Sequence, residues 1–131
     1  MIIRLRIVQT DLLQNVTQVL ADGRAILRND CILFQEAEPF QGKGRIVFSE
    51  TGLILIHEGE TKSRTELCTE RTGTAEALSA FGEMRFETEL LEYRRTPGSF
   101  CAEYQMRQRE TVIGHFRLRC RYETETGVKP S

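Results

Sequence analysis

Between Met84 and Tyr122 the chain alternates apolar and polar side chains with a period of two almost without a break. Met84, Phe86, Thr88 and Leu90 share one face; Phe100, Ala102, Tyr104 and Met106 follow, then Val112, Gly114, Phe116, Leu118, Cys120 and Tyr122. The positions between them are largely Arg, Glu and Gln. A period of two belongs to a strand with one face on a core and the other in water. The stretch therefore predicts three successive antiparallel strands, over Glu83 to Arg94, Ser99 to Arg107 and Thr111 to Glu123. Thr96-Pro97-Gly98 marks the first turn between them, with Pro fixing φ and Gly taking the left-handed position.

Upstream the pattern is more broken. Ile3 to Leu13 reads as a strand with Ile3, Leu5 and Ile7 on one face, and Val16 to Leu20 as a second, more polar one. Asp22-Gly23 and Asn29-Asp30 are turn signals on either side of the short apolar run Ala25 to Arg28. Cys31 to Glu36 has strong β composition, and Glu38 to Gly44 is the clearest loop. Arg45 to Ser49 and Leu53 to Glu58 form a hairpin around Glu50-Thr51-Gly52. Leu53 to Ile56 is apolar on both faces, which predicts a strand covered on both sides, under a loop or in a dimer contact. Thr61 to Arg71 predicts a strand rich in Thr and charge, with a turn at Thr72-Gly73-Thr74. Ala75 to Ala80 fits either a short strand or one helical turn.

Roughly eight to ten short strands with frequent turns indicate an all-β barrel or sandwich. Consecutive hairpins without long crossovers favour a single antiparallel up-and-down barrel over residues 1–131, because closure leaves no exposed edge. The tail from Thr124 is polar and expected to fray.

Alternation also sets register. If the last hairpin turns about Glu110, Phe100 faces Cys120, Ala102 faces Leu118, Tyr104 faces Phe116 and Glu103 faces Arg117; a one-residue slip would set apolar positions against charged ones. Cys101 and Cys120 then lie on opposite faces and do not bond each other. If the preceding hairpin centres on Pro97, Glu87 faces Arg107.

Composition narrows the function classes. The 131 residues carry 18 basic and 19 acidic side chains, a formal net charge of −1, and this balance argues against a dedicated nucleic-acid binder. Arg4 and Arg6 interrupt the apolar start, so no signal peptide is expected, and the longest apolar run, Leu53 to Ile56, is far short of a membrane span. The expected location is the cytoplasm, where Cys31, Cys68, Cys101 and Cys120, without metal-type spacing, are expected as free thiols. No phosphate loop, dinucleotide fingerprint or nucleophile elbow occurs, so neither a cofactor nor a metal is expected.

Phe34 with Glu36, His57-Glu58-Gly59, Arg64-Thr65-Glu66-Leu67-Cys68, Phe81-Gly82-Glu83-Met84, Thr88 and Tyr104, in this order and spacing, resemble the YwiB-like family of small bacterial proteins. The resemblance runs from about Gly23 to Glu123. It implies a calycin-like, lipocalin-related β-barrel and carries no established activity. His57 stands where that family tends to have Arg, and Phe34-Gln35-Glu36 where it tends to have Tyr-x-Glu.

Two kinds of site emerge. In a barrel with an open lumen, Tyr104 and Tyr122 on the apolar face, with His57 and Glu36 near strand ends, would make the polar contacts to a small, mostly apolar ligand bound without catalysis. Phe48, Phe86, Phe100 and Phe116 are bulky enough to fill a small lumen instead, leaving the tyrosines as core residues. The alternative site is the outer face bearing Arg117, Arg119, Arg121 and Arg107, joined by Arg4 and Arg6, as a protein- or RNA-interaction surface. Cross-strand glutamates also explain those arginines without a partner. His115 falls on the same charged face and is expected in water. Glu36, Glu38, Glu83, Glu87 and Glu89 have no motif that would make them catalytic.

Overall fold

The computed structural model describes residues 1–38 and 40–125. Among them are ten strands and no helix: β1 (Ile2–Asp11), β2 (Val16–Arg28), β3 (Cys31–Gln35), β4 (Lys43–Ser49), β5 (Gly52–Glu58), β6 (Lys62–Cys68), β7 (Gly73–Ser79), β8 (Gly82–Thr96), β9 (Ser99–Gln108) and β10 (Thr111–Thr124). Each pairs antiparallel with the next, and β10 pairs with β1, closing an up-and-down barrel. No helix among the described residues is long and apolar enough to cross a membrane.

The hairpin registers follow the alternation. Phe100 faces Cys120, Ala102 faces Leu118, Tyr104 faces Phe116 and Glu103 faces Arg117, while Cys101 lies opposite Arg119 and all four cysteines are free. Glu87 faces Arg107. Both hairpins change register through bulges, at Ile113 in β10 and Leu91 in β8, because an extra residue lets a strand bend round the barrel wall.

Three expectations are corrected. Asp22-Gly23 is not a turn: β2 runs through it, opposite Arg6 and Leu5, after a bulge at Leu20 that takes up the irregularity. The strand expected to reach Arg71 stops at Cys68, and the turn occupies Thr69 to Thr72, so Gly73 already opens β7. Residues Ala75 to Ser79 are strand, with β6 and β8 as hydrogen-bonding partners on either side, rather than a helical turn. In β5, Leu53 is buried, whereas Ile54 and Ile56 are half-buried on the outer wall. Of the tail expected to fray, Thr124 closes β10, and residues 126–131 lie outside the described part.

The two ends of the barrel differ. At the end holding the β4–β5 and β8–β9 turns, Ile3, Leu53, Leu67 and Phe100 are buried, and Phe48 meets Phe100 edge to face at 5.5 Å. Arg95 lies 3.9 Å over the Phe48 ring and 3.7 Å from Asp30, laying a cation across this packed end. At the other end, inward positions Phe34, Leu55, Met106 and Phe116 are only partly buried, and Met84 is 56% exposed. This second end is the mouth.

One buried polar bond holds the wall where the β6–β7 ladder stops at Thr65. The Glu66 carbonyl, beyond the last β7 partner, accepts a 2.5 Å bond from the Thr88 hydroxyl on β8, and Thr88 is 1% exposed. Thr88→Val keeps the shape and strands that carbonyl. We expect a loss of about 1–3 kcal/mol in urea unfolding, and a smaller loss for Thr88→Ser, which keeps the donor. Equal losses for the two variants would mean the hydroxyl is not what matters.

Candidate functional site

The end of β3, the start of β4 and the end of β5 meet at the mouth. His57 faces Gly44 across the β4–β5 ladder and Ser63 across the β5–β6 ladder, so all three look inward. The β3–β4 loop folds over them because the Gly42 carbonyl accepts bonds from the Glu36 amide at 2.9 Å and the Gln35 side chain at 2.8 Å. This brings Glu36 Oε1 to 2.5 Å from His57 Nδ1. The Glu36 side chain is only 10% exposed and that of His57 21%, so the carboxylate depends on the imidazole as its partner.

Glycine makes the approach possible. A Cβ on Gly42 would sit 2.6 Å from Glu36 Oε1 and 2.8 Å from His57 Cε1, and one on Gly44 would sit 2.1 Å from the Phe34 ring. The loop glycines that mark this segment in the sequence are thus the space in which the acid–imidazole pair and Phe34 pack.

Below the pair lies a cavity of about 150 Å³ with an apolar wall that includes Ile7, Phe34, Ile46, Leu55 and Leu118. Gln9, Glu36, His57, Ser63, Thr65 and Tyr104 supply its polar lining. Tyr104 is 5% exposed, packs its ring against Phe116 at 5.5 Å, and has no hydrogen-bond partner for its hydroxyl among the described residues. Burial pushes the Tyr104 phenol far above its ordinary range, so it stays a protonated donor. The side chains of Gln9, Ser63 and Thr65 likewise have no hydrogen bond to another described residue.

Of the four expected ligand contacts, Tyr104, His57 and Glu36 therefore line one cavity, and Tyr122 does not. Tyr122 is buried at the packed end, where its amide bonds the Gly98 carbonyl at 2.9 Å. Parity places Tyr104 and Tyr122 on the same face; only the direction of each strand separates them. The alternation did not single out Gln9, Ser63 and Thr65, although Gln9 follows Ile7 by two positions and Ser63 and Thr65 are in step with Leu67. At the packed end the Tyr93 hydroxyl is buried without a partner among the described residues.

The arginine face divides in two. Arg117 bonds Glu103 at 3.0 Å, and Arg107 forms an ion pair with Glu89 at 2.8 Å, not with Glu87 opposite it in register, and donates a hydrogen bond to Gln105 at 3.0 Å. Arg119 and Arg121 are exposed and make no ion pair with a described residue, while Arg6, opposite Arg121, is bonded to Asp22. His115 is not free in water: its Nε2 is 3.1 Å from the same Glu103 carboxylate. Among the described residues no three of His, Cys, Asp and Glu are grouped to hold a metal ion.

The chain matches the crystal structure of the ywiB protein from Bacillus subtilis with a TM-score of 0.64 and 16% identity, covering 94% of this chain and 89% of that one. A likeness at that identity establishes the shared barrel fold. A scan against protein-family models matches none, and no curated protein matches the chain.

Arg117 and His115, in that order of effect, hold the Glu103 carboxyl below its ordinary value of 4.5. A carboxyl lowered in the folded state contributes stability that is full above its unfolded value and lost as pH falls through the folded one. The melting-temperature gap between the native protein and Glu103→Gln should be widest at neutral pH and close below about pH 4.5. A gap unchanged from about pH 7 to about pH 3 would contradict the assignment.

Proposed function

We propose that this protein binds a small, mostly apolar ligand in the mouth-side half of the barrel and does not transform it, with Tyr104, His57 and Glu36 as polar contacts. The observation that carries this reading is the cavity itself: the Tyr104 hydroxyl, which has no partner among the described residues, and the Glu36–His57 pair border it beside an apolar wall. A few polar groups set among apolar walls are how small-molecule sites fix the orientation of what they bind. Cavities of about 150 Å³ in apolar surroundings accept molecules of benzene size, and ordinary drug-sized pockets begin at about 300 Å³. The ligand on this reading is therefore small. Four free thiols suit a reducing compartment, and we place the protein in the cytoplasm.

The alternative, an interaction module working through the arginine face, has less support. Glu103 and Glu89 already occupy Arg117 and Arg107, which leaves Arg119 and Arg121 of the expected four.

Tyr104→Phe separates a binding role from a structural one. Because the hydroxyl has no partner among the described residues, its loss should leave unfolding stability unchanged or slightly raised. Affinity for a small aromatic alcohol such as benzyl alcohol should fall about threefold to tenfold, the value of one hydrogen bond. A destabilised variant with undiminished binding would overturn the reading, as would a native protein that takes up no such ligand.

A further inference from the structure

The polar groups around the cavity also constrain what the ligand carries at its polar end; this step rests on the lumen reading above. Glu36 uses one carboxylate oxygen on His57 Nδ1, and its second oxygen has no partner among the described residues. The free Glu36 oxygen at the top of the cavity thus asks for a donor. Gln9, Ser63, Thr65 and Tyr104 can turn to suit either role.

Charge points the same way. A carboxylate 10% exposed already occupies the site, and a second anion beside it would meet like charge at close range. Arg45 borders the cavity, but it sits at an outward position on β4 and is 3.5 Å from the Glu58 carboxylate. The described residues of the mouth turns and adjoining strand ends are acidic on balance, with Glu38, Glu58, Glu60, Glu83 and Glu110 against Lys43, Lys62 and Arg109. Such a rim draws cations and repels anions.

We infer that the site takes a small apolar molecule whose polar end is a hydrogen-bond donor, an amine ahead of a hydroxyl, and that it rejects carboxylates. The amine would bond the free Glu36 oxygen, with the Tyr104 hydroxyl beside it, and the apolar frame would lie against Ile46, Leu55 and Leu118.

Benzylamine, benzyl alcohol and benzoate share a frame and differ in this end group. Titrating each into the protein while following the methyl resonances of Ile46, Leu55 and Leu118 reads affinity and location together. Benzylamine should bind at least about tenfold more tightly than benzoate, with benzyl alcohol between them, since a charge-assisted bond is roughly twice as strong as a neutral one. Glu36→Gln should abolish the advantage of the amine over benzyl alcohol. If that variant does not fold, the ranking of the three probes on the native protein decides the question. Benzoate binding as tightly as benzylamine at these methyls would overturn the inference and leave the lumen reading standing. An amine affinity unchanged in a folded Glu36→Gln would overturn it too. If no probe moved the methyls, the lumen reading would fall, and this inference with it.

Discussion

Closure of the backbone ladder is the constraint on which everything else in this molecule depends. Ten antiparallel strands pair in sequence order and β10 returns to β1, so no strand edge is left open along the described chain. The cost of closure is width. Side chains just fill a lumen of about eight strands, and the diameter grows with strand number. Ten strands therefore enclose more space than one inward row of ordinary residues can occupy, and the sequence has to deal with the excess.

It does so unevenly. At one end Phe48, Phe100 and Tyr122 supply bulk, and Arg95 lies across the Phe48 ring. At the other end several inward positions are small or polar: Gly44, Ser63, Thr65 and Ala77 stand where a filled barrel would carry leucine or phenylalanine. The remaining space becomes a cavity, and the polar groups around it can persist because Glu36 has the His57 imidazole at 2.5 Å and the loop glycines allow that approach. Fold and candidate site are consequences of the same excess of width.

Face and register were legible in the sequence wherever alternation was long. Cys101 and Cys120 fall on opposite faces, and Glu103 meets Arg117, as parity requires. What parity does not carry is height along the barrel axis. Tyr104 and Tyr122 point to the same side of the sheet, yet on strands of opposite direction they lie roughly 20 Å apart, taking six residues of strand rise from Phe116, opposite Tyr104, to Tyr122. Only one of them reaches the cavity. Bulges are equally hidden, since the extra residue at Leu20, Leu91 or Ile113 is defined by its partner strand and not by its own neighbours. Asp22-Gly23 misled for a related reason: the dipeptide favours a turn locally, but β1 on one side gives this stretch a longer ladder to join. Glu36 and His57 were found individually from their places at strand ends. Their pairing depends on the path of the β3–β4 loop, which sequence periodicity does not encode.

The central claim is that the lumen is filled at one end and open at the other. Xenon enters apolar cavities without regard to polar chemistry, so methyl resonances followed under xenon pressure test the claim with no assumption about a ligand. The account predicts shifts that saturate at Ile46, Leu55 and Leu118, which line the cavity, and none at Ile3, Leu53 and Leu67 at the packed end. Silent methyls throughout, or equal shifts at both ends, would contradict it.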